Sequence, residues 1–160
     1  MLIAGAALPA LVYAFLPQIA RGSGLSIGVS REVPFRDAYS YFLLPWKSGY
    51  RGAEKFAQQV RDTLPPDSIV LADSTTVVPI HYFQLTHRWR GDLEVYPPLN
   101  QADRSSFTAE ALRPAVAARR VFVVTPHPPY CPGWLVDHYQ FERGTLVYRV
   151  MPGPSSSACP

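Results

Sequence analysis

An uncharged apolar run at residues 2–20, LIAGAALPALVYAFLPQIA, constrains this chain more than any other feature. As a helix rising about 1.5 Å per residue it would extend roughly 28 Å, close to the thickness of the hydrocarbon core of a bilayer. Pro9 and Pro17 would kink it, which membrane helices tolerate better than helices in water. The run therefore predicts a transmembrane helix over residues 1–21, with the lipid bilayer as its partner.

Two other interpretations of the run stay open. A secretory signal would carry basic residues before its apolar part, whereas the first basic residue here is Arg21, after the run. A buried helix of a soluble protein is the second alternative. Small residues at positions 4–7 would allow close contact with other membrane helices of the same or a partner chain. The abrupt start favours a chain that begins inside a larger membrane protein.

Charge and cysteine content exclude several classes of function. The net charge of +3 is small and the basic residues are scattered, which argues against a nucleic-acid partner. Cys131 and Cys159 have no zinc-binding spacing. They are either linked by a disulfide or remain two free thiols.

Residues 22–48 are interpreted as a membrane-proximal connector. Its second half, residues 34–46, has the sequence PFRDAYSYFLLPW and is rich in aromatic side chains. Arg36 lies within this stretch and Lys47 follows it directly. Aromatic rings beside basic residues are typical of a collar at a membrane interface. A short helix packed beneath the following domain explains the same residues equally well.

Residues 49–151 show the alternation of helices and strands that is typical of an α/β domain. Helices are predicted at 49–64, 76–84 and about 105–118, and strands at 69–72, 93–96 and 121–125. Such an alternation predicts a right-handed, mostly parallel sheet.

The end of the chain adds a β-hairpin and a tail. Strands at 139–142 and 145–150 would turn on Arg143 and Gly144, and residues 152–160 are predicted to be disordered. The predicted fold class is thus α/β, with an N-terminal membrane helix followed by a small Rossmann-like three-layer domain. That domain contains a short, mostly parallel sheet and a C-terminal β-hairpin.

The strand at 69–72 ends in a polar corner, Asp73, Ser74, Thr75 and Thr76, which leads directly into a helix. A helix N-terminus at the end of a buried strand can bind a polar ligand. The corner lacks the glycine patterns that cradle phosphate, and capping of the helix explains the same residues without a ligand. The four residues are the candidate ligand-binding site, weighed against a capping role.

Other combinations of reactive residues are weaker. His127, Cys131 and His138 could ligate a metal, but no fourth ligand is evident. A nucleophilic pair of Cys131 and His127 lacks a group to orient the histidine. The sequence therefore predicts no catalytic residue, no metal site and no cofactor.

Several short stretches, taken in order, carry a family resemblance. They are RDAY at 36–39, YFLLPWK at 41–47, RGAEKFA at 51–57, LPP at 64–66, LADST at 71–75 and YFQ at 82–84. Together they resemble the C-terminal part of a family of bacterial polytopic membrane proteins of unknown function. That family is related to the transmembrane protein O-mannosyltransferases and other GT-C-type glycosyltransferases.

The resemblance implies a function and a location. Such enzymes use a lipid-phosphate-linked sugar donor, carry their catalytic acid in an early loop between the first membrane helices, and hold their C-terminal domain outside the cytoplasm. No catalytic residue of the family maps onto this chain. The resemblance implies the bacterial inner membrane with an extracytoplasmic domain. The basic residues that follow the run would instead favour the cytoplasm; they are Arg21, Arg31, Arg36 and Lys47.

Three functional hypotheses follow. The first is the C-terminal membrane helix and accessory soluble domain of a GT-C-like membrane glycosyltransferase, with the catalytic core outside this chain. The alternative is a single-pass, membrane-anchored α/β module for binding or assembly, without enzymatic activity. The third is a small enzyme that uses the corner at Asp73 and Thr76.

Overall fold

A computed structural model describes residues 2–27, 33–47, 49–96, 109–127, 131 and 133–153, and only the backbone of residues 2–8, 74 and 109. The chain divides into two compact units, Met1–Gly52 and Ala53–Pro160, called unit 1 and unit 2 below. Of the tail predicted at residues 152–160, Pro152 ends the last strand. Residues 154–160, with Cys159, lie outside the described part of the chain.

Unit 1 contains two helices, α1 (Leu2–Gly22) and α2 (Ala38–Leu43). The apolar run is helical, but within the described residues no helix is both long and apolar enough to cross a membrane. The prediction of an N-terminal membrane helix is therefore wrong. Pro9 and Pro17 interrupt the hydrogen bonding inside α1, and Arg21 lies in its last turn. Ala20 is buried within the protein itself.

Unit 2 alternates helices and strands, with its first helix beginning at the boundary between the units. The elements are α3 (Gly52–Thr63), β1 (Ile69–Leu71), α4 (Ser74–His87), β2 (Glu94–Tyr96), α5 (Ala109–Ala117), β3 (Val121–Val123), α6 (Gly133–His138), β4 (Tyr139–Arg143) and β5 (Tyr148–Pro152). The predicted start of the third helix, near residue 105, lies outside the described residues.

The five strands form one mixed sheet in the order β2-β1-β3-β5-β4. Strand β1 pairs in parallel with β2 and β3, whereas β5 is antiparallel to both β3 and β4. The prediction of a mostly parallel sheet is therefore wrong. A hairpin always supplies one strand of the opposite direction, and here that strand, β5, is the one that joins β3, with Phe122 opposite Arg149.

Helices cover the parallel strands on both faces, which makes three layers. Neighbouring residues on β1 point to opposite faces, so Val70 packs with Val60 and Ile80 of α3 and α4. Leu71 packs on the other face with Val116 of α5. The two apolar clusters explain why each residue of β3 is buried, as in a strand covered on both sides.

The strand order creates a topological switch point. From β1 the chain crosses through α4 to β2 on one side, and from β2 it crosses back through α5 to β3 on the other side. Because α4 and α5 lie on opposite faces, the position at which open α/β sheets form a crevice falls between the carboxyl ends of β1 and β3. Open α/β sheets bind ligands at such a position.

Candidate functional site

The polar corner at the carboxyl end of β1 is a helix cap. Asp73 is the N-cap residue of α4, and its side chain accepts hydrogen bonds from the backbone N–H groups of Thr75 at 2.8 Å and Thr76 at 3.2 Å. The hydroxyl of Thr76 donates to the backbone carbonyl of Asp73 at 3.2 Å. A carboxylate at this position satisfies amides that the helix itself cannot pair.

The capping role predicted for the corner is thus present in the structure. Thr76 is almost fully buried, at 2% exposure, whereas Thr75 is exposed. The side chain of Ser74 lies outside the described part of the chain. Because the carboxylate of Asp73 already occupies the positive end of α4, an anionic ligand would have to compete with it. Binding of a ligand by these four residues stays a prediction.

The other side of the crevice is formed by the residues that follow β3. The backbone N–H of Val124 donates to the carbonyl of Leu71 at 3.3 Å, which keeps the ends of the two strands together. Next along the chain, the hydroxyl oxygen of Thr125 is buried and has no hydrogen-bond partner among the described residues. His127 is exposed at the start of the following loop. Sequence reasoning did not single out Thr125, because only the parallel register of β1 and β3, with Leu71 opposite Val123, brings the ends of the two strands together.

Cys131 belongs to the core and not to the crevice. It is a free cysteine in the apolar cluster below α5 and α6. Burial raises the pKa of its thiol to about 12, so the reactive thiolate is nearly absent at neutral pH. No group of three His, Cys, Asp or Glu side chains suited to a metal ion occurs within the described ranges.

A network around Arg90 was missed by sequence reasoning. Its guanidinium donates to the carbonyls of Arg61, Leu64 and Pro65 at 2.7, 2.9 and 2.7 Å. It also binds both carboxylate oxygens of Asp92 at 3.0 Å. These bonds satisfy carbonyls at the end of α3, which the helix itself cannot pair. The backbone of Arg90 has a positive φ of 53°. The three carbonyls are 25 to 29 residues away in the chain, so no local pattern indicates them.

A cavity of about 600 Å³ lies beside the hairpin turn in unit 2. Its floor includes Phe122, and its walls include Asp62 of α3 and Glu142 of β4. Arg149 also lines it, with its guanidinium 5.8 Å from the Phe122 ring and 3.4 Å from Glu142. The walls therefore mix acidic, basic and apolar groups without an excess of one kind.

Unit 1 carries an aromatic–cation cluster, defined as Arg36, Tyr41, Phe42, Lys47 and Tyr50. The Arg36 guanidinium lies 5.2 Å from the Tyr41 ring and 5.4 Å from the Phe42 ring. The Lys47 ammonium lies 4.8 Å from the centre of the same Tyr41 ring, and the centres of the Tyr41 and Tyr50 rings are 5.2 Å apart. A short helix is present and its rings lie near basic groups, while the membrane collar and the packing beneath the following domain both stay predictions.

The helix α1 leaves most of its described apolar side chains exposed. The exposed members are Leu11 at 55%, Val12 at 55%, Tyr13 at 43%, Phe15 at 54% and Ile19 at 63%. Leu11, Phe15 and Ile19 repeat every four residues and lie with Val12 on one face of the helix, whereas Tyr13 lies apart from them. In the described part of the chain, α1 therefore presents an exposed apolar face.

Comparison of the chain with protein-family models, curated protein sequences and solved structures finds no match.

Proposed function

We propose that this chain is a membrane-associated accessory module, without catalytic activity of its own, that serves a GT-C-like glycosyltransferase with a lipid-linked sugar donor. Unit 1 contacts the lipid bilayer at the inner membrane of a bacterial cell. Unit 2 is a folded α/β domain that helps to recognise the acceptor.

The exposed apolar surface of α1 carries the proposal. Five large side chains between residues 11 and 19 are more than 40% exposed. Complete burial of one such side chain contributes roughly 1.5–3 kcal/mol, so even half of that gain favours an apolar phase over water. The apolar layer of a bilayer surface supplies such a phase.

Flotation of the intact chain with phosphatidylcholine vesicles tests the membrane contact. We expect the protein to float, and the double variant Leu11→Ser/Phe15→Ser to bind at least about tenfold more weakly. The matched control is Val78→Ser/Leu85→Ser, which removes two exposed apolar side chains, at 61% and 80% exposure, from α4 of unit 2. A wild-type protein that stays in the aqueous fraction, or equal losses in both variants, would refute the contact.

The link to a glycosyltransferase is supported by the family resemblance between residues 36 and 84. Reading the coding DNA upstream of Met1 tests it directly. We expect an in-frame series of further hydrophobic helices, whereas a promoter and ribosome-binding site immediately before Met1 would refute this link. The extracytoplasmic position of unit 2 is a further expectation of the same resemblance.

A binding or assembly module independent of any glycosyltransferase is the second candidate. The cavity beside the hairpin turn favours it, since Asp62, Glu142 and Arg149 offer hydrogen-bond acceptors and donors around an apolar floor. The two candidates differ in one measurement. Deletion of the chain should reduce transfer from a lipid-linked sugar in membrane preparations under the first candidate, and leave that transfer unchanged under the second.

A further inference from the structure

Unit 1 concentrates positive charge as well as apolar surface. Residues 1–52 contain five basic and two acidic residues, whereas residues 53–160 contain ten of each. The whole formal excess of +3 therefore belongs to unit 1. Charge asymmetry of this kind points to an anionic partner for the charged part.

Two of these basic groups are held at fixed positions by the aromatic–cation cluster. Lys47 donates to two backbone carbonyls at the end of α2. They are the carbonyl of Tyr41 and that of Leu44, the second at 2.7 Å. Arg36 lies over the rings of Tyr41 and Phe42. Neither cation forms an ion pair with a carboxylate of the described residues.

The acidic residue in the described part of unit 1 is already engaged elsewhere. Asp37 forms an ion pair with Arg21 and also accepts a hydrogen bond from Ser40 at 2.7 Å. These hydrogen bonds, that of Arg21 first, hold the pKa of Asp37 below its usual value. Asp37 therefore stays charged near neutral pH and serves Arg21 and α2. The charges of Arg36 and Lys47 remain available to a ligand.

We infer that the aromatic–cation cluster binds the anionic headgroups of a phospholipid bilayer, so that unit 1 selects negatively charged membranes. The inference rests on the proposed membrane contact and adds the lipid class that makes it. Phe42 and Trp46 are 52% and 43% exposed beside the cations. Exposed aromatic rings suit the headgroup level of a bilayer, and neighbouring lysine or arginine side chains suit lipid phosphates. A nucleic acid would meet the same charges but would leave the apolar surface of α1 uncovered.

The experiment compares vesicles of phosphatidylcholine alone with vesicles that also contain phosphatidylglycerol, using the intact chain in co-sedimentation. Each basic side chain near an anionic surface contributes about a fivefold gain in affinity, so two should give roughly 25-fold tighter binding to the anionic vesicles. The gain should disappear in about 1 M salt, where the screening length falls to about 3 Å.

Variants assign this gain to the cluster. Arg36→Gln/Lys47→Gln should reduce binding to anionic vesicles to the level seen with neutral vesicles. Arg113→Gln/Arg143→Gln, which removes two exposed basic residues from unit 2, should keep the full gain. If loss of Lys47 disturbs α2, then Arg36→Gln alone should still remove about fivefold, and Arg36→Lys should retain most of the gain.

The possible outcomes separate the inference from the membrane contact. Equal wild-type binding to both vesicle types overturns the lipid selectivity and leaves the contact through α1 intact. A gain lost equally in the unit 1 and unit 2 variants also overturns it. Displacement of the protein from anionic vesicles by an RNA oligonucleotide, at concentrations that leave neutral-vesicle binding unchanged, would assign the cluster to nucleic acid. No binding to either vesicle type would refute both proposals.

Discussion

The two units place the same residue types in opposite environments. Ile80 of unit 2 is fully buried in the cluster below α3 and α4, whereas Ile19 of unit 1 is 63% exposed. Unit 2 buries the apolar side chains of its strands in two internal clusters, although Val78 and Leu85 of α4 stay exposed. In the described part of unit 1, five large side chains of α1 between residues 11 and 19 are exposed instead. This contrast is the reason for assigning membrane contact to unit 1.

Two arginines, one from each unit, differ in their surroundings. Arg90 of unit 2 uses its guanidinium for carbonyls and a carboxylate of the same domain. Arg36 of unit 1 instead lies against aromatic rings. An arginine that pairs internally contributes to stability, whereas one that lies on a ring near the surface keeps its charge for a partner.

The largest expected effect tests the contrast in packing directly. Ile80→Ala should lower the free energy of unfolding by about 2–5 kcal/mol, because it leaves a cavity in a closed core. Ile19→Ala should change it by less than about 0.5 kcal/mol, because the side chain has little to lose. Urea denaturation followed by circular dichroism measures both, and equal effects would contradict the difference between the units.

The next effect concerns the internal use of arginine in unit 2. Arg90→Ala removes the donors to three backbone carbonyls and should cost about 2–3 kcal/mol of stability. Arg113→Ala, at an exposed position on α5, is the matched control and should be nearly neutral. A thermal unfolding series that shows no difference between these variants would mean that water replaces the Arg90 network without cost.

A smaller effect separates capping from ligand binding at the corner. Asp73→Ala should cost about 1 kcal/mol through loss of the N-cap, while Asp73→Asn should cost less because asparagine also caps helices well. Asp137→Ala, at an exposed position on α6, serves as control. If Asp73 also contacts a ligand, Asp73→Asn should abolish binding while the stability stays near that of the wild type.

The smallest effect is a pH dependence within unit 2. Hydrogen bonds from Arg90 hold the pKa of Asp92 below its usual value of 3.8. A lowered pKa in the folded state means that the stabilisation is complete above about pH 4 and disappears as the pH falls through the folded value. Wild type should thus lose more stability than Asp92→Asn between pH 6 and pH 3. Parallel losses in urea titrations at the two pH values would contradict this role.

Local patterns predicted the helices and strands of unit 2 well, and failed where pairing is non-local. The apolar spacing of Phe56 and Val60 indicated α3, and the run at residues 69–72 indicated β1, because each signal lies within one element. The antiparallel pairing of β5 with β3 depends on where a distant hairpin docks. The helix α6, with six residues, is too short to show a periodic pattern, and the sequence before it is rich in proline.

The candidate site was predictable in the same limited sense. Asp73 was identified because a carboxylate between a strand and a helix is a frequent N-cap. Thr125 has no sequence signal of its own and enters only through the neighbouring strand end. Thr125 was missed, whereas for the run at residues 2–20 the sequence predicted a feature that the described part of the chain does not have. Hydropathy and length alone indicated a membrane span, and the described helix did not meet that expectation.

The strand order has a consequence for the synthesis of the protein. Strand β1 meets β2 early, but its other neighbour, β3, is translated much later, and both apolar clusters still require Val147 or Val150 from the hairpin. Until those residues leave the ribosome, the nascent sheet has an open edge and uncovered apolar faces, which makes it prone to aggregate. Distant pairing of this kind also slows folding. The domain closes only when its final strand has been made.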